Sequence, residues 1–298
     1  MDWKHITIED KPIFDRFFKQ AKIELSDYTF TNLFIWHFSR CTYYAVLDDF
    51  LCIQIKATGQ SPVVLMPIGQ GDIAGVIEEL EDDFKSRDIP FRMRAISNEI
   101  RTTLEAVLPK RFVFTAERDR FDYVYDVQDL IKLEGTKFKA KRNHLNKFRE
   151  FYDDRFSYHP LTHDLLGEVV SAEIAWCEKR NCDSQENLEN EKRGIIEAIN
   201  HFDHLDFEGG VLKVDDKVVA FTFGETITED MAVIHIEKAD PDVRGAYQMI
   251  NQQFLEHRWA QMKFVNREED LGIEGLRKAK ESYNPCRMLE KYLLEPLP

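Results

Sequence analysis

The stretch Val233-Ile-His-Ile-Glu-Lys-Ala-Asp240 reads as a strand, and residues two apart on a strand project to the same side. His235 and Glu237 therefore project together. An attacking amine is protonated at neutral pH and needs a proton acceptor, which such a pair supplies. The alternative is structural, a salt bridge from Glu237 to Lys280 or Arg277. The strand runs into a sharp step at Val243-Arg244-Gly245-Ala246, where a helix starts at a glycine. Backbone N–H groups at such a step, with Arg244 and Gly245 beside them, can hold a carbonyl or phosphate group. An ordinary strand-to-helix turn calls for the same glycine. Downstream, Asn266, Glu268 and Asp270 line the start of a helix expected over 273–282, which carries Lys280. They can meet a cationic group or cap the helix.

A second chemical feature is a run of positive charge. From Ile131 to Arg149 there are seven Lys or Arg against one acid, Glu134, a local charge of +6. Residues 1–130 carry −6 and residues 150–298 carry −14, so the whole chain stands at −14. One positive stripe in an acidic protein is an anion footprint. On a helix over Gly135–Phe151, Lys137, Lys141 and His144 fall near one face, with Lys139, Arg142 and Arg149 on others. Together with Asn143, these residues could hold a tRNA acceptor stem, a phospholipid head group or the long arm of CoA. The competing reading is a solvated linker helix paired with the acidic halves.

These groups must be positioned by a folded core. The chain has 298 residues, 43% hydrophobic and 12% aromatic, enough for two ordinary domains. A strongly acidic surface disfavours nucleic acid and anionic lipid except at a local basic patch. The five Cys are odd in number and none has CxxC spacing, so neither a disulfide framework nor a zinc site is expected and a cytoplasmic location fits. Cys177 and Cys182, five apart on one predicted helix, are poorly placed to bridge. His201 and His204 with Asp203 and Asp206 read as a polar helix end rather than a metal site. No signal-peptide core follows Met1, and no run of about 18 apolar residues occurs.

The pattern predicts helices over 8–20, 72–87, 97–107, 164–180, 186–202 and 245–259. Strands are expected at 43–55, 63–67, 91–95, 111–115, 122–127 and 156–159. The hairpin 211–214 and 218–225 turns at Asp215-Asp216 and is followed by a strand at 231–237. A strand at 264–266, the helix 273–282 and a closing strand at 288–294 complete the chain. This is a mixed α/β (α+β) chain in two halves that share a strand-helix rhythm.

Three segments together resemble one bacterial family. They are Lys139-Ala-Lys-Arg-Asn-His144 with Phe148; Val233–Asp240 with Gly245-Ala-Tyr-Gln248 and Asn251; and Asn266-Arg-Glu-Glu-Asp-Leu-Gly272 with Gly275-Leu-Arg-Lys-Ala-Lys280 and Ser282-Tyr-Asn-Pro285. An early segment, Asp27–Leu33 with Trp36, also fits. The chain is similar to the family of the phosphatidylglycerol lysyltransferase C-terminal domain, related in fold to the Fem peptidyltransferases that take aminoacyl-tRNA. The resemblance implies two tandem GNAT-like domains (the acyl-CoA N-acyltransferase fold), placed at 1–135 and 156–298 with the basic helix 136–155 connecting them. Known lysyltransferases carry many membrane-spanning helices before this region.

The resemblance also implies roles. Glu237, with His235 beside it, would be the base, and Tyr283 the acid that protonates a leaving thiolate or ribose hydroxyl. Lys139, Lys141, Arg142, Asn143, Arg244 and Gly245 would bind donor phosphate. Asn266, Glu268, Asp270 and Lys280 would meet the substrate. CoA-dependent GNAT enzymes use Q/R-x-x-G-x-G/A at the pyrophosphate loop. Here Asp242 stands where Gln or Arg would, and Tyr247 where Gly or Ala would. A carboxylate beside a pyrophosphate costs roughly 1–3 kcal/mol at an effective dielectric of about 20. The expectation is therefore an acyl- or aminoacyltransferase whose donor is aminoacyl-tRNA or CoA. Its rivals are an acetyl-CoA-dependent N-acetyltransferase and a GNAT-fold binding module without turnover.

Overall fold

The computed structural model describes residues 1–179 and 186–297. They form two compact units, one of residues 1–122 with 289–298, the other of residues 123–288. No helix among the described residues is long and apolar enough to cross a membrane.

Among the described residues, the first unit builds an eight-stranded sheet. Its strand order is Lys4–His5, Arg40–Leu47, Phe50–Ala57, Val63–Leu65, Met93–Ile96, Tyr292–Pro296 and Phe112–Ala116, with Ile68–Gly69 paired to Phe50–Ala57. Val63–Leu65 and Met93–Ile96 run parallel, joined through the helix Ile73–Ser86. That helix starts where Asp72 accepts a hydrogen bond from the Gly75 N–H, and the next, Asn98–Val107, where Ser97 accepts from Ile100. Both caps were readable in the sequence.

Two strand expectations are corrected here. Residues 43–55 are not one strand but parts of two, which turn at Asp48, whose φ is +49°. Asp48-Asp49 is the same dipeptide that marks the hairpin at Asp215-Asp216, but here it lies within a stretch of strand-forming residues that reads as continuous. The closing strand over 288–294 is also two strands. Arg287–Leu289 pairs beside Asp122–Asp126, whereas Tyr292–Pro296 enters the first unit's sheet. Local pattern does not report which sheet a strand joins.

The second unit's sheet has the order Arg287–Leu289, Asp122–Asp126, Phe264–Asn266, Met231–Ala239, Lys217–Thr226, Glu208–Val214 and Phe156–Pro160. The expected hairpin turns at Asp215 and Asp216, both at positive φ. Its core is Tyr123, Leu145, Phe148, Ile234, Phe254 and Trp259 with their neighbours. The basic helix occupies Lys139–Tyr152 within this unit and buries Leu145 and Phe148. Each such burial stabilises by roughly 1.5–3 kcal/mol.

One feature of this sheet makes room for a site. Met231–Ala239 pairs in parallel with Phe264–Asn266 only as far as Val233 and Asn266. The first strand continues to Ala239, while the other chain turns away, with Glu268 at φ +57°. The two segments part over His235 and Glu237 on one side and Arg267 and Glu268 on the other. The expectation of no disulfide is corrected at Cys177, which is disulfide-bonded. Cys182 lies outside the described residues.

Candidate active site

Side chains bridge the gap between the diverging segments. Glu237 accepts hydrogen bonds through both oxygens, from Asn251 Nδ2 at 2.8 Å and from Arg267 Nη2 at 2.8 Å. Glu237 thus does form an ion pair, but with Arg267 rather than with Lys280 or Arg277. His235 sits beside it in a different network. Pairing with Lys217–Thr226 slips at this point, Phe223 facing Ile236 and Gly224 facing Ile234, so His235 is the extra residue of a β-bulge. A bulge re-aims the side chain it carries. The His235 imidazole is fully buried between two carboxylates, Nδ1 at 2.9 Å from Glu268 and Nε2 at 2.8 Å from Glu225. Burial opposes its charge, yet the two carboxylates win and lift its pKa to about 9. His235 is therefore an imidazolium clamp at neutral pH.

Arg267 completes the first network. Its guanidinium carbon lies 4.7 Å from the Tyr283 ring centre and 5.5 Å from that of Tyr125. Its Nη1 is buried without a hydrogen-bond acceptor. Burial pushes the Tyr283 phenol well above its ordinary value, against the pull of Arg267. Tyr283 is thus protonated throughout the physiological range.

Lys141 is the unexpected member. Its ammonium lies 3.9 Å from the Tyr283 ring centre, and the residue is only 8% exposed. Burial, reinforced by the neighbouring charge of Arg267, lowers its pKa to about 8, despite Glu237. The cause is helical geometry. Lys141, Leu145 and Phe148 fall four and three apart on the one stripe that faces the core. That spacing is visible in the sequence and separates Lys141 from the other cations of its helix. Two cations, Lys141 and Arg267, thus share one tyrosine ring and one carboxylate. Arg267 was missed as a site residue because nothing local distinguishes it from a surface arginine.

The remaining expected residues are dispersed or occupied. Lys139, Asn143 and Arg244 are exposed. Arg142 donates to the carbonyls of Leu133 and Gly135, closing the turn before the basic helix. Gly245 has φ +86° and starts the helix Ala246–Arg258 without a side-chain cap. A Cβ there would stand 2.7 Å from the His144 carbonyl, so this glycine also allows the basic helix to pack. Positive charge gathers around the same turn. Burial first, then Lys141, Arg244 and Lys147, depress the His144 pKa. On the approach to that turn, Asp240 and Asp242 flank the Lys179 ammonium at 3.3 and 3.2 Å.

Of the residues assigned to substrate, Asn266 accepts from the Glu268 N–H at 2.7 Å. Asp270, fully buried, accepts from Tyr123, from the Gly272 N–H and from both ends of the Arg277 fork. Lys280 donates to the carbonyls of Arg267 and Glu269. These three hold the loop 266–272 in shape, and that loop presents Arg267 to Glu237.

Two α/β units, each with a parallel strand pair crossed by a helix, define the tandem GNAT-like fold. A solved structure of a tandem GNAT protein from the clavulanic acid biosynthesis pathway aligns over 100% of this chain and 99% of its own, with TM-score 0.50 and 6% identity. The family model described as phosphatidylglycerol lysyltransferase, C-terminal, matches residues 18–295, and the chain belongs to that family. A conserved protein of unknown function from Bacteroides thetaiotaomicron is 43% identical, with TM-score 0.93 and full coverage of both chains. The structure of L-PGS from Bacillus licheniformis is 16% identical with TM-score 0.64, covering 96% of this chain and 91% of its own. An uncharacterized protein of Mycoplasmoides gallisepticum is 23% identical over 197 residues, 64% of this chain and 61% of the relative's length. Family and fold are of the acyl- and aminoacyltransferase kind.

Proposed function

We propose that the second unit transfers an activated acyl or aminoacyl group from an ester donor, such as aminoacyl-tRNA, to an amine or hydroxyl acceptor. The observation that carries this reading is the buried group of Lys141, Arg267, Glu237 and Tyr283 at the point where two parallel strands part. The acceptor's nitrogen or oxygen attacks the donor carbonyl and passes its proton to the neutral form of Lys141. A pKa of about 8 keeps part of this lysine neutral at physiological pH. The oxyanion of the tetrahedral intermediate accepts from the Arg267 N–H that lacks a partner. The C–O bond to the donor then breaks, and the Tyr283 hydroxyl protonates the leaving oxygen. The Lys141 ammonium, beside the ring, restores the phenol's proton. Glu237, anticipated from the sequence as the base, here fixes Arg267 in place. Lys139 and Asn143 on the exposed face of the basic helix, and Arg244 near His144, meet the donor's phosphates.

The family's description supports an aminoacyl donor. Asp240 and Asp242 before the Gly245 turn speak against a CoA pyrophosphate at that position. The test is transfer of labelled amino acid from charged tRNA, run beside CoA titration by calorimetry. Transfer that is lost in Lys141→Met and in Arg267→Gln supports the reading. Saturable CoA binding with acetyl transfer would replace it with the N-acetyltransferase. No turnover with either donor would leave a binding module.

A further inference from the structure

The first unit holds a cavity that the transfer chemistry above does not use. Its volume is about 110 Å³, within the sheet around Ile55, Val63 and Leu65. An engineered cavity of about 150 Å³ takes up benzene, so this one suits a molecule of a few heavy atoms. Its wall is cationic to an unusual degree. Arg40, Arg94, Arg120 and Lys291 line it, against the single lining carboxylate of Asp27.

The cations are unequally satisfied. Lys291, 2% exposed, is neutralised by Asp27 at 2.6 Å and Asp122 at 2.7 Å. Arg94 and Arg120 both lean on one oxygen of Glu117, at 3.1 and 3.7 Å. The Arg94 Nε is buried without a hydrogen-bond acceptor. Burial first, and then the nearby Arg120, push the Arg94 guanidinium below its ordinary value. An anion in the cavity relieves both effects.

The backbone also departs from regular geometry here. Ala95, on the cavity wall, has φ +54° in the middle of the strand Met93–Ile96. Pairing with Tyr292–Pro296 slips at the same point, between the Tyr292–Ile96 and Leu294–Met93 partners. Left-handed backbone at a non-glycine residue persists only where its surroundings hold it, and such positions gather at ligand sites. The irregularity falls at Arg94 and Ala95, the two cavity residues of this strand.

We propose that this cavity binds a small oxyanion, a carboxylate or phosphate group on a carrier of few heavy atoms, with the Arg94 and Arg120 guanidiniums as its ligands. Guanidinium forks recognise both groups through paired, charge-assisted hydrogen bonds. The apolar residues Ile55, Val63 and Leu65 accommodate a short carbon stub. The site lies wholly in the first unit and stands independently of the transferase reading.

The experiment is calorimetric titration of the whole chain with inorganic phosphate and with propionate, each against chloride at matched ionic strength. One saturable site for either anion is expected, and the two arms identify which head group is preferred. Arg94→Gln and Arg120→Gln should each weaken that binding by about tenfold or more. Lys85→Gln, exposed on the helix Ile73–Ser86, should leave it unchanged. Arg120 sits nearer the surface than Arg94, so its variant tests the site even if Arg94→Gln misfolds. Absence of saturation with both anions, or unweakened binding in a folded Arg120→Gln, overturns the proposal.

Discussion

Lys141 is set apart from the other cations of its helix by burial alone, and burial gives it a titration within reach of ordinary assays. Its pKa of about 8, against an ordinary 10.5, predicts that transfer rises with pH up to about 8 and then levels. Lys141→Arg keeps the charge and removes the base, so the pH limb should vanish and the rate fall by roughly 10²–10⁴. A pH–rate profile of both proteins checks this. Stability should also rise with pH, but in a higher window. The unfolded chain binds a proton that the folded chain has lost between about 8 and 10.5, so the Lys141 contribution to stability rises with pH in that window. His235 has the opposite sign. Its folded pKa is raised from 6.5 to about 9, so its contribution is fully present below 6.5 and is lost as pH climbs to about 9. His235→Gln should cost about 3–5 kcal/mol at low pH, because Glu225 and Glu268 lose their common cation. The gap between the variant and the native chain should narrow toward pH 9 in urea melts. At this scale the sequence was informative by type and weak by partner. Glu237 and Tyr283 stood out by position, and Lys141 could be found from its spacing to Leu145 and Phe148. The pairing of Glu237 with Arg267 could not, because it depends on where two strands diverge.

Elements were legible where their signals are local. The Asp72 and Ser97 caps, the turn at Asp215-Asp216 and the glycine before Ala246 each carry their own stereochemistry. Gly245 combines two demands, a left-handed φ and the approach of the His144 carbonyl. Gly245→Ala should therefore destabilise by about 1–3 kcal/mol, more than a helix-start substitution elsewhere. It should also shift the basic helix, since the new methyl meets the His144 carbonyl and the Phe148 Cβ. Chemical denaturation measures the first effect, and changed amide exchange over 139–152 the second. An unchanged melting midpoint would mean that the turn relaxes freely and that the glycine is not needed for packing. What stayed hidden was the second use of the same helix. A run of seven basic residues reads as a solvated stripe, and only the apolar stripe beneath it shows that one of the seven is buried.

The longest-range feature of the molecule is the return of its end to its beginning. Tyr292–Pro296 fills the place between Met93–Ile96 and Phe112–Ala116, antiparallel to both. Without it, those two strands have no partner on their facing edges. Lys291, just before it, neutralises Asp27 and Asp122, and the Asp122 carboxylate also accepts from the Ser26 backbone and hydroxyl. Removing that cation takes the ammonium away from the buried Asp122 carboxylate and from Asp27, so Lys291→Ala alone should cost about 3–5 kcal/mol. A chain ending at residue 289 loses the strand and the cation together. Amide exchange should then quicken across Met93–Ile96 and Phe112–Ala116, while the hairpin Glu208–Thr226 keeps its protection, because its partners all lie in the second unit. Equal loss of protection in both units would instead mean that the two fold as one cooperative block. The sequence hides this design for a physical reason. Alternation shows that residues 292–296 form a strand, but the choice of sheet is made by contacts nearly two hundred residues away.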